Sequence, residues 1–241
     1  KTAHVTKYKC VKDSTEFSIN KDVTCLVGKN EAGKTAILEA LSKVNPVADD
    51  DDGFDITHHY TRHEVDDYRP QHATNPATAV QTTWELEEED YKAIEELIGP
   101  AARKIGVVTV IKKYDNKPYL SFDFDEAAVI QHLLKTAEMT AQERSKLKSA
   151  TSVHELTKQL AGTSDEVAAR TALATTLTQR FKDGSAEQAV EQLIWQRVPR
   201  FAFFSQYLRM PGQLSADAFM NRMQQKQQTE EDRVFASLLA M

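Results

Sequence analysis

Apolar residues recur along the first 45 residues with two different periods, and each period predicts a different element. Three short strands are predicted over residues 4–11, 16–19 and 23–27. The last of these is a continuous apolar run, which is typical of a strand buried on both faces. Helical spacing follows and predicts a helix over residues 33–44, which Asn45-Pro46 ends. Its apolar positions are Ile37, Leu38, Leu41 and Val44.

Polar, irregular sequence fills residues 46–79, where we expect a long surface loop. The acidic run Asp49–Asp52 favours a solvated segment, because like charges repel and extend the chain. The loop also contains four histidines, of which His59 and His63 are four residues apart. Since no helix is evident to set a ligand geometry, a solvated loop is favoured over a zinc site. The four histidines are His58, His59, His63 and His72.

The rest of the chain alternates between the two patterns. Strands are predicted where polar and apolar residues alternate or aromatic residues cluster, at 80–86, 107–114, 119–124 and 198–207. Helices are predicted where Ala, Leu, Gln and charged residues dominate, at 87–97, 126–196 and 216–241. We therefore expect an α/β protein in three parts: an N-terminal lobe at 1–125, a helical insertion or arm at 126–197, and a return strand with further helix at 198–241.

Composition narrows the class of protein. The chain has 241 residues, 41% hydrophobic and 27% charged, with a formal net charge of -6. This balance fits a globular protein and argues against coating nucleic acid by bulk charge. Lys7, Lys9 and Lys12 on the first strand are nevertheless candidates to contact DNA phosphates, with a solvent-facing strand as the alternative.

Location and completeness are expectations from the same composition. No apolar run is long enough to cross a membrane and no signal peptide is evident, so a cytoplasmic location is expected, without membrane partners. Cys10 and Cys25 lie in apolar runs, which predicts two buried free thiols in a reducing compartment. Because the chain begins at Lys1 and ends at Met241 without a cap, we expect it to be part of a longer polypeptide.

The strongest motif is Gly28-Lys29-Asn30-Glu31-Ala32-Gly33-Lys34-Thr35, which fills every fixed position of the phosphate-binding template G-x-x-x-x-G-K-[ST]. In such a loop backbone N–H groups cradle the phosphates, and the helix N-terminus adds a positive dipole end. Lys34 would reach the β- and γ-oxygens as a catalytic cation, and Thr35 would ligate Mg²⁺. The predicted nucleotide contacts are Gly28, Lys29, Asn30, Glu31, Ala32, Gly33, Lys34, Thr35 and Ala36.

A second motif needed for hydrolysis is missing. A P-loop ATPase also needs an acid at the end of an apolar strand, to hold Mg²⁺ and polarise water. The nearest candidates, Asp123 and Asp125, lie in an alternating segment that favours a half-exposed hairpin strand. The hydrolytic site is therefore expected to be incomplete within this chain.

The segment Val23–Pro46 closely resembles the N-terminal head of SMC-like and OLD-like ATPases, which are ABC-class members of the AAA family of P-loop NTPases. Gly-Lys-Asn-Glu-x-Gly-Lys followed by Leu-x-Ala-Leu is typical of that group, and the aromatic segment Phe201–Tyr207 followed by Leu-Arg-Met-Pro-Gly is similar to its return strand. The resemblance implies an ABC-type head lobe with a mixed sheet and a helical insertion that starts a coiled-coil arm. It also implies ATP rather than GTP, and no Asn-Lys-x-Asp guanine motif is present.

The resemblance further implies partners and one more site residue. Two heads of such proteins sandwich two ATP molecules, so a second copy, as a homodimer or higher oligomer, is expected. DNA is the expected substrate of the full protein, in repair or antiviral defence, and an effector or nuclease subunit or domain is a further expected partner. Gln206 is the candidate for the family's catalytic and Mg²⁺-contacting glutamine, with Gln213 as the other possibility, although relatives often have an acid near this position.

Two functions follow from these observations. The first is an ATPase head that dimerises around ATP and drives a DNA-directed machine. The second is a nucleotide-gated scaffold with little hydrolysis, which assembles or restrains a separate effector. In either case Tyr60, Tyr68 and Arg69 are candidates to reach the nucleotide base or a partner, because their loop follows the helix of the motif.

Overall fold

The computed structural model describes residues 1–47, 53–147, 149–161, 168–182, 184–204, 214–225, 227 and 229–239. Over these residues the chain forms an α/β fold with six strands and eleven α-helices. The strands are β1 (Thr2–Tyr8), β2 (Val11–Asp13), β3 (Phe17–Ser18), β4 (Thr78–Glu85), β5 (Val107–Lys113) and β6 (Pro118–Ser121). The helices are α1 (Lys34–Ser42), α2 (Ile56–His59), α3 (Val65–Tyr68), α4 (Glu88–Ile98), α5 (Glu126–Thr136), α6 (Ala141–Leu147), α7 (Val153–Ala161), α8 (Ala168–Arg180), α9 (Ala186–Arg197), α10 (Ala216–Gln224) and α11 (Glu230–Leu239).

The strands form one sheet in the order β2-β1-β4-β5-β6, and β3 also pairs with β1. Strand β1 runs antiparallel to both β2 and β3, with Tyr8 opposite Val11 and Thr2 opposite Ser18. Ala3, Val5 and Tyr8 of β1 are buried. The β1 strand also packs against α1, so the helix that follows the motif is supported by the first strand of the chain.

Contacts divide the chain into two compact units. The first comprises Lys1–Thr82, Val110–Tyr119 and Pro199–Met241, and therefore holds β1 to β3 and α1 to α3, with α10 and α11. The second comprises Thr83–Thr109 and Leu120–Val198, and therefore holds α4 to α9.

The second unit is mainly helical, and side-chain hydrogen bonds and ion pairs stabilise helix α4 within it. Helix α4 begins with a capping box between Glu87 and Asp90, which supplies partners for two N–H groups at its start. Arg103 donates to the carboxylates of Glu88 and Glu95 and lies 5.0 Å from the Tyr91 ring centroid. Buried aliphatic residues form the core beneath these contacts, among them Ile94, Ile98, Val129, Leu133, Leu156, Val190 and Ile194.

An aromatic cluster forms the core of the first unit beside β1. Tyr60 and Tyr68 stack at 4.3 Å between ring centroids, and both contact Tyr114 edge to face. Phe54 contacts Tyr8 and Tyr114, and the Tyr114 hydroxyl donates to the Lys7 carbonyl at 2.5 Å. Burial of these large rings is the main apolar contribution available to this part of the chain.

The segment at 53–79 is therefore not the surface loop that its polar sequence predicts. Helices α2 and α3 and a 3₁₀ turn at Arg69–Gln71 order it, and Phe54, Tyr60 and Tyr68 are buried within it. The segment is ordered in spite of its polar composition, because three buried aromatic side chains pack its short helices and turns against the aromatic cluster. The Asp49–Asp52 run lies outside the described residues.

The expected buried strand at 23–27 is also wrong. These residues form no strand, and Val23 and Val27 are 76% and 90% exposed. An apolar run is buried only when neighbouring strands cover it, and the described part of the chain places none beside this one. For the same reason Cys25 is exposed, and Cys10, in the turn after β1, is exposed as well, contrary to the predicted burial of both thiols.

The predicted strand at 198–207 is reduced to a single bridge among its described residues. Phe201 pairs in parallel with Pro46, donates its N–H to the Asn45 carbonyl and accepts a hydrogen bond from the Val47 N–H. The chain thus contacts the segment that follows α1, without a regular strand up to Phe204. Residues 205–213 lie outside the described part of the chain.

Asn116 fastens the turn between β5 and β6 to the start of the aromatic segment. Its side-chain amide accepts from the Phe54 N–H at 2.6 Å and donates to the Phe54 carbonyl at 3.0 Å, and its backbone is left-handed at φ 62°. Asn116→Gly keeps the backbone angle but removes both bonds, so we expect a loss of about 1 kcal/mol in the free energy of unfolding.

Asn116→Ala removes the same bonds and adds the left-handed strain, so it should lose about 1 kcal/mol more. Urea denaturation of the two variants and the wild type measures both differences. Equal stability of Asn116→Gly and wild type would show that the two Asn116–Phe54 hydrogen bonds contribute nothing to the free energy of unfolding.

Candidate phosphate-binding site

The motif residues 28–33 form a loop that leads directly into α1. Its first part closes on a turn in which the Ala32 N–H donates to the Lys29 carbonyl at 3.3 Å. Glu31 and Gly33 both have left-handed backbones, at φ 64° and 85°. The loop is therefore tightly curved, and the strain at the non-glycine Glu31 is typical of a functional turn.

Gly33 is the N-cap of α1 and has a structural reason to be glycine. A Cβ at this position would lie 2.8 Å from Val11 Cγ2 and 3.3 Å from Cys10 Sγ, and the left-handed angle would strain any other residue. Gly28 is different, since no left-handed angle is found there and an added Cβ would make only ordinary contacts, the nearest 3.6 Å from Ala32 Cβ. Of the two glycines that the motif fixes, only Gly33 therefore has a backbone angle that requires glycine.

Lys34 is folded into the curve of the loop. Its ammonium donates to the Gly28 carbonyl at 2.9 Å and to the Lys29 carbonyl at 2.6 Å. This geometry holds the positive charge above the backbone that the motif predicts to cradle phosphate. Thr35 is exposed in the first turn of α1, whereas Ala36 is buried and supports the helix.

The N-terminus of α1 is suited to an anion. No side chain caps it, and its first turn contains no acidic residue. The N–H groups of a helix's first turn have no partner within the helix, and the dipole there favours negative charge by about 0.3–1 kcal/mol. Together with Lys34, this end of the helix offers donors and positive charge to a phosphate chain.

The residues behind the loop are charged and paired. The Lys9 ammonium forms an ion pair with the Glu39 carboxylate on α1, and the Lys9 N–H donates to the His59 carbonyl at 2.6 Å. Lys12 pairs with Glu64 at 3.2 Å. Two of the three lysines predicted to contact DNA are thus engaged with carboxylates, and the contribution of this strand to DNA binding stays a prediction.

The remaining candidates are placed away from a nucleotide role. Tyr60 and Tyr68 are buried against each other, so neither is available to stack on a base, while Arg69 is exposed. Asp125 caps α5 by accepting from the Ala128 N–H at 2.9 Å and pairs with Lys104, which is a helix-start role rather than a strand-end acid. Gln206 and Gln213 lie outside the described residues.

Two of the histidines, His59 and His72, make contacts within the 53–72 segment. The Asp55 N–H donates to His59 Nδ1 at 2.9 Å, and the Tyr68 hydroxyl lies 3.0 Å from His72 Nδ1. In the described part of the chain no group of three or more His, Cys, Asp or Glu side chains could hold a metal ion. The expectation of an irregular solvated loop is wrong for this segment, because helices α2 and α3 order it.

Two residues near the loop were missed by the sequence reasoning. Val11 and Cys10 contact Gly33 from 22 and 23 positions earlier in the chain. No local pattern could have found them, because the contact depends on how β2 and α1 meet. The Lys9–Glu39 ion pair was missed for the same reason.

The comparisons with known proteins define the class. The family described as AAA ATPase domain matches residues 1–196. Since the match covers more than half of the 241 residues, the chain belongs to this family of ATP-binding domains. No curated protein and no solved structure matches it. Across the described residues, no helix is both long and apolar enough to span a bilayer.

The residues present fit the nucleotide that this family implies. The Lys34 ammonium and the uncapped start of α1 would hold the phosphates, and the exposed Thr35 hydroxyl is of the type that ligates Mg²⁺. Bound Mg²⁺ would neutralise charge on the phosphate oxygens. To contact a phosphate, the Lys34 ammonium would have to exchange its two carbonyl contacts for contacts to the phosphate oxygens.

The environment of His59 predicts a pH dependence of stability. Burial, followed by the nearby Lys43 and Lys9 charges, lowers the pKa of His59. Above pH ~6.5 the side chain is neutral in both folded and unfolded chains. Below that pH the unfolded chain takes up a proton at His59 before the folded chain does. The free energy of unfolding should therefore decrease as the pH is lowered, until the pH passes below the folded pKa.

His59→Gln should lose this part of the pH dependence. Urea denaturation of wild type and variant between about pH 7.5 and pH 5 should show a steeper loss for the wild type. Parallel profiles, or an NMR titration giving His59 a pKa at or above about 6.5, would contradict the prediction.

Proposed function

We propose that this chain is the ATP-binding head lobe of an SMC-like or OLD-like ATPase. In this proposal the lobe engages a second copy of itself around Mg²⁺-ATP and drives a DNA-directed machine in repair or anti-phage defence. The observation that carries the proposal is the curved loop with Lys34 folded into it, at the start of an uncapped α1. That arrangement is suited to the phosphate tail of a nucleotide.

The hydrolytic groups are proposed to come from outside this chain. Asp125, the nearest acidic candidate in the sequence, is engaged as a helix cap with Lys104. A strand-end acid and a water-positioning side chain supplied by further sequence or by the second copy would complete the reaction. An effector or nuclease domain or subunit would then use the ATP-driven assembly.

Exposed apolar residues support the proposal of a second copy. Val23 and Val27 before the loop, and Leu38 on α1, are 76%, 90% and 47% exposed. Large apolar side chains exposed beside a binding loop are typical of surfaces that are covered in a working assembly. Burial of their apolar surface at the contact would favour association.

Lys34→Ala tests nucleotide binding. A charge-assisted hydrogen bond to phosphate contributes about 1.5–3 kcal/mol, so the variant should bind Mg²⁺-ATP roughly 10- to 100-fold more weakly. Isothermal titration calorimetry gives the affinities. Lys21→Ala, which removes an exposed lysine before the loop, is the matched control and should bind like wild type.

An unchanged affinity of Lys34→Ala would refute the proposed site. Steady phosphate release by the protein in its complete assembly would favour an ATPase, and tight retention of ATP without release would favour the nucleotide-gated scaffold.

Val27→Asp tests the proposed assembly surface. Because Val27 is 90% exposed, the change should alter the free energy of unfolding by no more than about 0.5 kcal/mol. It should nevertheless weaken ATP-dependent association at least tenfold, measured by light scattering over a concentration series, because a charge would be buried at the contact. Val107→Asp, at a 49% exposed site on β5, is the control. Equal association of both variants would contradict a contact at Val27.

A further inference from the structure

Gly33 lies against the turn that joins β1 and β2. The hydrogen atoms of its Cα face Val11 Cγ2 and Cys10 Sγ, since a Cβ built there would lie 2.8 Å and 3.3 Å from those two atoms. Val11 is 7% exposed, so its side chain is part of the core, while Cys10 lies at the surface. The two side chains form a wall over the one glycine in the loop with a left-handed backbone.

Three contacts hold the turn that carries Val11 and Cys10 in place. Val11 pairs with Tyr8 across the two strands. The Lys9 N–H donates to the His59 carbonyl at 2.6 Å, and the Lys9 ammonium pairs with Glu39 of α1. Lys9 itself has a left-handed backbone at φ 51°, a conformation that persists in a non-glycine residue only when its surroundings enforce it.

Glycine alone does not select the backbone angle observed at position 33. It populates left-handed and right-handed regions about equally, so a single conformation must be imposed by neighbours. The neighbours here are Val11 and Cys10 on one side and the first hydrogen bond of α1, from the Ile37 N–H to the Gly33 carbonyl at 2.9 Å, on the other.

We propose that Val11 and Cys10 are positioning residues for the phosphate-binding loop: they hold Gly33 in its left-handed conformation and so keep the loop curved for phosphate before the ligand arrives. The inference rests on the proposed nucleotide binding. Neither residue contacts phosphate in this proposal. Their effect is pre-organisation, which raises affinity by lowering the ordering cost of binding.

Truncation of the Val11 side chain should weaken the binding of every ligand that carries a polyphosphate chain. Val11→Ala should bind Mg²⁺-ATP and inorganic tripolyphosphate more weakly by the same factor, on the order of 5- to 30-fold, because the loop and not the base site is loosened. Val11→Thr keeps the branched shape, with the hydroxyl in the place of the Cγ2 methyl that faces Gly33, and should restore binding to near the wild-type affinity.

Val5→Ala is the matched control. Val5 is a fully buried valine of the same sheet, on β1, so its truncation lowers stability without touching the loop. Melting temperatures of both variants are measured first, and binding is compared at a temperature where both are folded. Wild-type binding by Val11→Ala, or an equal loss in Val5→Ala, would overturn the inference while leaving the proposed function intact.

A double-mutant cycle tests the contact itself. Gly33→Ala places a methyl against Val11 and should bind tripolyphosphate poorly. In Gly33→Ala with Val11→Ala, the vacated space accepts that methyl, so the double variant should bind at least as well as Gly33→Ala alone. Losses that simply multiply would show that the two positions act independently and would overturn the inference.

Alkylation tests the second half of the wall. In a Cys25→Ser background Cys10 is the only thiol, and iodoacetamide adds a group beside Gly33. The alkylated protein should bind tripolyphosphate at least fivefold more weakly, and bound Mg²⁺-ATP should slow the alkylation. Unchanged affinity after complete alkylation would remove Cys10 from the proposal.

Failure of the unmodified wild type to bind either ligand would instead refute the proposed function, and this inference with it.

Discussion

The left-handed backbone of Gly33 is the constraint on which the rest of the site depends. It turns the chain from the loop into α1, and α1 then presents an N-terminus without a side-chain cap. The same turn brings Lys34 back over the Gly28 and Lys29 carbonyls. A residue with a Cβ could not occupy the position without displacing Val11. The curvature of the loop, the position of the Lys34 charge and the direction of the α1 dipole thus depend on one backbone angle, at a residue that lies against Val11 and Cys10.

The support for this angle extends into the core of the first unit. Tyr8 is buried beside Phe54, and His59 stacks on it at 5.4 Å, so the end of β1 is held by the 53–72 segment. Lys9, between Tyr8 and Cys10, connects that segment to α1 through His59 and Glu39. An exposed ion pair alone contributes little, but here it closes a path of contacts from an aromatic core to a binding loop. A chain of packed contacts of this kind is a means by which substitutions away from a ligand alter its affinity.

The sequence patterns correctly predicted those elements that depend on contacts between residues close together in the chain. The motif, helix α1 and helix α4 follow from spacing and capping within a few residues, and all three are found close to their predicted positions. The exposure of residues 23–27 could not be predicted, because an apolar run is buried only where partner strands cover it, and the local pattern does not show which strands lie beside it. The order in the 53–72 segment was hidden by its polar composition, although Phe54, Tyr60 and Tyr68 were a usable signal. The Val11–Gly33 contact depends on tertiary structure alone.

The exposed run before the loop has a practical consequence. Valine, threonine, cysteine and leucine at positions 23–27 carry no charge and include no proline, and the described residues supply no strand beside them. Such a segment is a template for strand pairing between identical chains. When the chain is produced at high concentration, that pairing competes with correct folding. Charged residues placed as gatekeepers at either end of the run would be the direct remedy for aggregation during purification.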